Sequence, residues 1–553
     1  MKKIWKRLGA VLLTAALALG LTAGAWAVDE AGDNAAAPFT KQATVTVSGL
    51  ADGDTVHAYK LVSYDSSFND YVFQTDFETF IGSYDGLTGS NAEEKLANCA
   101  NVTKLLEDYA AAVAAGTYAL PLPSAFETAA NTTVSMTLES GYYLLLAGTT
   151  AGNSKVYQPM SVFAKVEGDK LIVYGGGDDT NGQENALSIN VKSEDGPVID
   201  KKVNATRGAG KAIEWRTTAA AGIGETAKFY VQVTIPYYQN ITTMQMQLHD
   251  TMTAMAYTDG SMKVYTEGPD ANGDFDDRKL LGVDGAVVEN PGTYTDGKQE
   301  LTFTLDYAKI MDSAQAAKNI WIYYEAVVQP DAANGTDVHS AANEAYLTYT
   351  TAVGNSQSTD RKRTTVYNYE FKLNKRTENQ ATSLAGAGFT LYSDENCTQP
   401  ISFVKTGEYY RPAVGTEAGA VKEITADFLV IGLDANTYYV KETTTPNGYF
   451  QPEGAFQLVL TSDMEGQILS DSLDGSKCDF AALAEADHSL IAEKTVNLKD
   501  HSWRFVVTLK NNSTPLLPTT GGPGTVAISI AGVLLMILGA ALYMGYRKKR
   551  AQN

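Results

Sequence analysis

The chain has 553 residues, more than one hydrophobic core usually serves, so we expect about three domains. Hydrophobic residues make up 44% of the sequence and charged residues 19%, a balance typical of folded proteins. Its 64 acidic residues outnumber the 43 basic ones, and the net charge of -21 argues against nucleic acid as a partner, because phosphate backbones would be repelled. The three cysteines and five histidines have no spacing that would hold zinc.

The N terminus predicts export from the cell. Residues 1–27 begin with four basic residues, continue through an apolar run and end with an Ala-Trp-Ala cleavage pattern. The apolar run is short for a membrane-spanning helix. We therefore interpret this segment as a secretory signal peptide.

Alternating apolar and polar residues, separated by Gly, Asn and Asp turns, predict a mainly β fold for the body of the chain. Polar stretches, one of them rich in glycine, mark two boundaries. The resulting modules have sizes that suit immunoglobulin-like β-sandwiches. We predict an N-terminal module (38–175), a second module (196–366) and a third module (367–512), with a linker (176–195) between the first two.

One helix is expected in the N-terminal module. Apolar residues recur at helical spacing over residues 91–115. Ser90 and Glu93 have the spacing of a capping box at the start of this run.

Polar side chains in the second and third modules fall in step with apolar ones. Residues two apart on a strand share a face, so these side chains should point into the core, where burial is costly unless they are paired. Each module has a lysine, an acid and an asparagine placed in this way. They are Lys201, Asp250 and Asn343 in the second module and Lys375, Glu442 and Asn511 in the third.

An amine, a carboxyl and an amide in one core can form a covalent bond. Burial moves a lysine toward its neutral, nucleophilic form and an acid toward its protonated form. The amine can then attack the asparagine side-chain carbonyl while the acid shuttles protons and ammonia leaves. The product is a Lys-Asn isopeptide bond. Lys202 is an alternative to Lys201, although alternation with Ile199 and Val203 favours Lys201.

Two further patterns are less specific. Four side chains have the alternate spacing of a calcium loop but lack its glycine and its bidentate glutamate, so we predict an acidic turn, with no metal site and no cofactor. These are Asp270, Asn272, Asp274 and Asp276. Cys397 and Cys478 fall in one module, and the sequence leaves open whether they pair or remain thiols.

The C terminus predicts a membrane span. Residues 526–546 form an apolar stretch, and the basic residues 547–550 that follow should keep the tail in the cytoplasm. Before this span stands the pentapeptide Leu517, Pro518, Thr519, Thr520 and Gly521.

The order of pentapeptide, apolar span and basic tail in residues 513–553 resembles the cell-wall sorting signal of Gram-positive surface proteins. The resemblance implies that a sortase cysteine attacks the Thr520 carbonyl, that Gly521 leaves, and that the acyl group passes to an amine. The span would then be transient, and the mature protein would be anchored to peptidoglycan.

The body resembles the backbone pilins of sortase-assembled pili. Residues 438–443 (Tyr-Tyr-Val-Lys-Glu-Thr) with 446–449 (Pro-Asn-Gly-Tyr) are similar to the E-box of collagen-adhesin B-type (Cna-B) domains, and residues 384–392 also fit this domain type. Residues 343–349 look like the end of the family's isopeptide-forming domain. The resemblance implies three tandem immunoglobulin-like or Cna-B-like sandwiches.

The same resemblance implies roles for the polar residues. Lys201 would bond to Asn343 with Asp250 as catalyst. Lys375 would bond to Asn511 with Glu442 as catalyst.

Lys192 is the candidate acceptor amine for joining subunits. It lies where backbone pilins place a Tyr-Pro-Lys-Asn motif, but Asn190, Val191 and Ser193 depart from that motif. The alternative is a solvated linker lysine in a minor or terminal subunit.

The sequence therefore favours a structural shaft subunit of a covalent pilus, with sortases, identical subunits and peptidoglycan as partners. A wall-anchored adhesin or tip pilin that binds a host-surface ligand is the alternative. A hydrolase is disfavoured, because no nucleophile-elbow serine, metal-binding histidine pair or Cys-His signature is present.

Overall fold

The computed structural model describes residues 40–551, apart from 66–69, 101, 115, 151–152, 176–177, 206–213, 239–243, 312–317, 335–339, 353–354, 381, 461–477, 500–501 and 515–522. Strands dominate, and they form three successive β-sandwiches. The mainly β fold class is therefore confirmed. The predicted signal peptide (1–27) and the pentapeptide Leu517–Gly521 lie outside the described residues.

The first sandwich contains twelve described strands and three described α-helices. They are β1 (Ala43–Ser48), β2 (Thr55–Asp65), β3 (Asp70–Phe73), α1 (Thr75–Ser83), α2 (Ala92–Ala97), α3 (Val102–Ala114), β4 (Ala125–Thr128), β5 (Thr133–Leu138), β6 (Gly141–Gly148), β7 (Lys155–Tyr157), β8 (Met160–Glu167), β9 (Lys170–Gly175), β10 (Asp178–Glu184), β11 (Ala186–Asn190) and β12 (Ser193–Asp195).

A seven-stranded sheet forms the middle layer of the first sandwich. Its order is β10-β9-β8-β6-β2-β3, with β4 paired to β2, and the sheet β11-β1-β5 covers one face. Helices α1 and α3 pack on the other face. Every residue of β6 is buried because this strand has a layer on each side.

The helical segment differs from the single helix expected over residues 91–115. The structure has α2 and α3 there and α1 before them. Asn91, not Ser90, is the N-cap of α2, and its side chain accepts a 2.8 Å hydrogen bond from the Glu94 amide. Asn98 ends α2, where its Nδ2 donates to the Thr88 carbonyl at 2.8 Å.

The stretch predicted as a linker (176–195) also differs from expectation. Strand β11 pairs in parallel with β1, and β12 pairs with β7. Leu187, Ile189 and Val191 are buried in the core of the first sandwich. The apolar alternation of these residues makes them a strand of the first sandwich, although a glycine run precedes them.

The second sandwich packs a five-stranded sheet (β13-β15-β21-β17, with β18) against a seven-stranded sheet (β14-β24-β22-β16-β20-β19, with β23). Its elements are β13 (Val198–Ala205), β14 (Thr218–Ala220), β15 (Thr226–Ile235), β16 (Gln245–Thr253), β17 (Met255–Tyr257), β18 (Lys263–Tyr265), a 3-10 helix (Asp277–Lys279), β19 (Val287–Pro291), β20 (Lys298–Asp306), α4 (Tyr307–Ile310), β21 (Lys318–Val328), a 3-10 helix (Pro330–Ala333), β22 (Ser340–Ala352), β23 (Asn355–Ser358) and β24 (Lys362–Tyr367).

The third sandwich packs a six-stranded sheet (β27-β28-β30-β25-β35-β34) against a five-stranded sheet (β29-β26-β31-β32-β33). Its elements are β25 (Tyr369–Thr377), β26 (Gly388–Tyr392), β27 (Phe403–Thr406), β28 (Tyr409–Pro412), β29 (Glu423–Thr425), β30 (Phe428–Leu433), β31 (Thr437–Thr444), β32 (Phe456–Val459), β33 (Asp479–Ala482), a 3-10 helix (Glu485–Leu490), β34 (Ile491–Lys499) and β35 (Ser502–Asn511).

A C-terminal helix, α5 (Pro523–Arg550), follows the third sandwich. An 18-residue stretch within its residues 527–550 has a mean hydropathy of 2.3 and is 0% buried, which makes this the one described helix long and apolar enough to cross a membrane. The last turn carries four basic residues.

Candidate crosslinking sites

The third sandwich brings together its predicted lysine, acid and asparagine. Lys375 on β25 and Asn511 on β35 lie on adjacent parallel strands, and Glu442 on β31 reaches them from the facing sheet. The three residues are at most 1% exposed. Alternation along each strand places them on the core side, as the apolar residues two positions away are also buried.

Each pair within this triad is within hydrogen-bond distance. Lys375 Nζ donates to Glu442 Oε2 at 2.8 Å and to Asn511 Oδ1 at 2.6 Å. Asn511 Nδ2 donates to Glu442 Oε1 at 2.8 Å. The acid therefore contacts the attacking amine with one oxygen and the leaving nitrogen with the other.

The environment shifts Lys375 toward its neutral form. Burial lowers the pKa of the Lys375 amine, and this effect outweighs the opposing attraction of the Glu442 carboxylate. The amine also lies 5.4 Å from the centre of the Phe389 ring. A neutral amine beside a carbonyl that it contacts is the arrangement that nucleophilic attack requires.

The second sandwich also brings its three predicted residues into one buried cluster. Lys201 is on β13 of the five-stranded sheet, whereas Asp250 and Asn343 are on neighbouring strands of the seven-stranded sheet. All three are at most 1% exposed. Lys201 Nζ lies 2.6 Å from Asp250 Oδ2, and burial lowers the pKa of this lysine despite the acid.

Lys202 does not enter this cluster. It points away from the core and lies 3.2 Å from Asp200 Oδ2, with 27% of its side chain exposed. The structure therefore places Lys201, and not its neighbour, beside Asp250.

A fourth residue, Tyr324 on β21, stands at the centre of this cluster. Its hydroxyl accepts hydrogen bonds from Lys201 Nζ and, at 3.1 Å, from Asn343 Nδ2, and it donates to Asp250 Oδ2. Tyr324 is not among the residues that the sequence pattern singles out. It follows Ile320 and Ile322 in the alternation of β21, and a tyrosine in such a series looks like an ordinary core residue.

Lys192, the predicted acceptor, lies between β11 and β12 with its side chain exposed. Its carbonyl accepts a hydrogen bond from the Gln158 amide at 2.9 Å, which ties the backbone to the first sandwich. The amine is thus presented to solvent from an anchored segment.

The predicted acidic turn closes on itself. Asp270 Oδ1 accepts from the amides of Asn272 at 2.8 Å and Asp274 at 3.0 Å, and Asp276 pairs with Arg278 at 2.7 Å. In the part of the chain that the structure describes, no group of three or more His, Cys, Asp or Glu residues could hold a metal ion. No disulfide joins Cys397 to Cys478, both of which are described residues.

Comparison with known proteins identifies two regions of the chain. Residues 369–471 match the SpaA prealbumin-like fold domain. Residues 509–553 match the LPXTG cell wall anchor motif. No curated protein sequence matches the chain.

Several solved structures are similar to this chain at low identity. The T6 backbone pilin of Streptococcus pyogenes is 16% identical, with a TM-score of 0.47, over 77% of this chain and 81% of that one. The major pilin SpaD of Corynebacterium diphtheriae is 15% identical, with a TM-score of 0.44, over 87% of this chain and all (100%) of that one. The major pilin SpaA of the same species is 12% identical, with a TM-score of 0.44, over 85% and 100%.

Both matched regions include part of the third sandwich, because the SpaA-type match contains Lys375 and Glu442 and the anchor match begins just before Asn511. The apolar helix α5 lies within the anchor region. The chain is therefore an LPXTG-anchored cell-wall surface protein of Gram-positive type that carries a SpaA prealbumin-like domain.

Proposed function

We propose that the chain is a structural shaft subunit of a covalently polymerised pilus. Intramolecular bonds from Lys201 to Asn343 and from Lys375 to Asn511 would stabilise it, and sortase would process it between Thr520 and Gly521. The contact of one acid, Glu442, with both the amine and the amide nitrogen is the observation that carries this proposal.

The chemistry of the third site follows from these contacts. Glu442 takes a proton from Lys375 through Oε2, which leaves a neutral amine to attack the Asn511 side-chain carbonyl carbon. The protonated acid then supplies that proton to the leaving nitrogen, which departs as ammonia, and Glu442 takes up the excess proton of the new amide nitrogen. The product is a neutral amide in place of a buried ion pair, whose desolvation is costly.

Joining of subunits uses a second amine. The exposed Lys192 would resolve the sortase acyl intermediate formed at Thr520 of another copy of the chain. Sortases, identical subunits and peptidoglycan are accordingly the proposed partners. We propose no turnover of an external substrate, since each crosslink forms once.

The proposal is tested on cell walls of a Gram-positive host that carries a pilus sortase. We expect a ladder of high-mass polymers, and peptide mapping should find Thr520 joined to Lys192. Wall-attached monomer without a ladder would contradict the shaft role and favour an adhesin or a tip pilin.

A further inference from the structure

The acids of the two sites reach their asparagines differently. In the third sandwich, Glu442 contacts the Asn511 nitrogen directly at 2.8 Å. In the second sandwich, Asp250 is one methylene shorter, and its Oδ1 makes no hydrogen bond with any described residue. Asp250 uses Oδ2 alone, for Lys201 and for the Tyr324 hydroxyl.

Tyr324 completes the path that Asp250 leaves unfinished. Its hydroxyl is bonded to the attacking nitrogen of Lys201, to the acid and to the leaving nitrogen of Asn343. One donor hydrogen and two acceptor lone pairs account for all three contacts. The hydroxyl thus makes the contact with the leaving nitrogen that Glu442 Oε1 makes in the third sandwich.

We propose that Tyr324 is a catalytic residue of crosslinking in the second sandwich, which relays a proton from Asp250 to the departing nitrogen of Asn343. This role rests on the proposed Lys201-Asn343 bond, and neither the match to the SpaA-type domain nor the match to the anchor covers Tyr324.

The steps balance without an outside reactant. Lys201 passes one proton to Asp250 Oδ2 and attacks the Asn343 side-chain carbon with its lone pair. Asp250 then donates to the Tyr324 oxygen while the Tyr324 hydroxyl proton moves to Nδ2. The carbon-nitrogen bond of the amide breaks, ammonia leaves, and the excess proton of the new amide nitrogen returns to Asp250. Nothing is oxidised or reduced.

Burial keeps the tyrosine in the form that this relay needs. Desolvation raises the pKa of Tyr324 well above its usual value, and the neighbouring Asp250 raises it further. The hydroxyl therefore remains protonated until a base is generated next to it, and the leaving amide nitrogen is that base.

The test follows bond formation with time. The full chain and its Tyr324→Phe variant are made by cell-free translation in detergent, quenched in acid at intervals, and digested to quantify the Lys201-Asn343 and Lys375-Asn511 peptides. We expect Tyr324→Phe to slow formation of the Lys201-Asn343 bond about 100-fold or more, as is typical for loss of general acid-base catalysis. The Lys375-Asn511 bond should form at the wild-type rate and serves as an internal control.

Tyr238→Phe is the matched control variant. Tyr238 is 1% exposed in the same core, and its hydroxyl donates to the Asp195 carbonyl at 2.9 Å, outside the cluster. We expect both bonds to form at the wild-type rate in this variant. Equal rates of Lys201-Asn343 formation in Tyr324→Phe and wild type would overturn the relay.

A second measurement tests the relay even if Tyr324→Phe fails to fold. 3-Fluorotyrosine placed at position 324 keeps the ring and hydroxyl but acidifies the phenol. A relay therefore predicts a several-fold change in the rate of Lys201-Asn343 bond formation when the substitution is at 324, and no change when it is at 238. The same rate at both positions would contradict the relay. If wild type itself forms the Lys375-Asn511 bond but no Lys201-Asn343 bond, the proposed second crosslink fails together with the relay. A wild-type bond that is insensitive to position 324 overturns the relay alone.

Discussion

Lys375 Nζ lies 2.6 Å from the side-chain oxygen of Asn511, although the two residues are 136 positions apart in the chain. Parallel pairing of β25 with β35 produces this contact, because Asn511 pairs in register with Thr377, two residues beyond Lys375 on the same face. A covalent bond across this interval would raise the free energy of unfolding by about 5 kcal/mol in the chain-entropy model.

Glu442→Gln should prevent the bond in the third sandwich. Glutamine has nearly the same shape but can neither take the lysine proton nor return it. Intact mass should show a deficit of about 17 Da, one ammonia, where wild type shows about 34 Da. Glu423→Gln is the control, since Glu423 is an exposed acid of the same sandwich that binds Thr443 and Thr444. A full deficit in Glu442→Gln would contradict the assigned role of the acid.

Lys201→Met and Lys202→Met should separate the two neighbouring lysines. Lys201 is buried beside Asp250, whereas Lys202 pairs with Asp200 at the surface. We expect Lys201→Met to show a mass deficit of about 17 Da, one ammonia, and Lys202→Met to show the wild-type deficit of about 34 Da. Loss of the second-sandwich bond in Lys202→Met alone would show that the wrong lysine was chosen.

Lys192→Ala should abolish the polymer ladder while monomer stays attached to the wall. Lys192→Arg should do the same, because a guanidinium remains charged and is not a nucleophile. Lys155→Ala is the neighbouring control, since Lys155 lies on β7 and its amine is 2.6 Å from Asp195. Immunoblots of wall extracts measure the outcome, and an unchanged ladder in Lys192→Ala would rule out this acceptor.

Asp54 should make the first sandwich sensitive to acid. Burial alone would raise the pKa of this carboxyl, but hydrogen bonds from Tyr157, Thr150, Ala51 and Asn153 together lower it below its usual value. The folded-state pKa is thus below the unfolded value of about 3.9, so the stabilisation is present above about pH 4 and is lost as the pH falls through the folded-state pKa.

Asp54→Asn should therefore lower the stability of the first sandwich by about 2 kcal/mol at pH 7 and flatten its dependence on pH below about 4. Calorimetry of the unfolding transition of the first sandwich checks both effects. Asp52→Asn is the control, because Asp52 is exposed and accepts one hydrogen bond, from the Asn131 amide. An acid limb that is equally steep in Asp54→Asn would contradict the assignment.

Strand alternation made the polar residues of both sites readable from the sequence, because side chains on a strand repeat with period two. It put Lys201 inward and Lys202 outward, and the structure places them so. Alternation does not reveal which residues meet across a sandwich. Tyr324 was missed for this reason, since its partners come from β13, β16 and β22.

The strand pairing of the residues after Gly175 could not be predicted from the sequence either. A glycine run is a sound sign of a boundary, but strand β11 returns to pair in parallel with β1. The two strands of a parallel pair are separated by many residues, so the local sequence pattern of one strand does not predict its partner. The helical segment shows a smaller error of the same kind, because Asn98 ends α2 through a contact with Thr88, ten residues earlier.

The three sandwiches are joined by specific contacts. Tyr349 of the second donates to the Ser154 carbonyl of the first at 3.1 Å, and the Ile223 amide donates to the Gly432 carbonyl of the third at 2.8 Å. Ile431 of the third sandwich packs into the core of the second. These contacts favour a fixed arrangement of neighbouring sandwiches over a flexible string of domains.

The pairing of Asn343 with Thr364 on strands β22 and β24 has a mechanical consequence. Tension applied between Lys192 and Thr520 would pass through the two proposed bonds, so most of the chain would bear no load. The backbone between Asn343 and Lys375 would still carry it, restrained by the pairing of β22 with β24 and with β16. Opening these ladders between Asn343 and Thr364 would release about 70 Å of chain at full extension. The second sandwich would thus extend by a limited length under force and shorten again when its strands re-pair. Single-molecule pulling would reveal a step of this length.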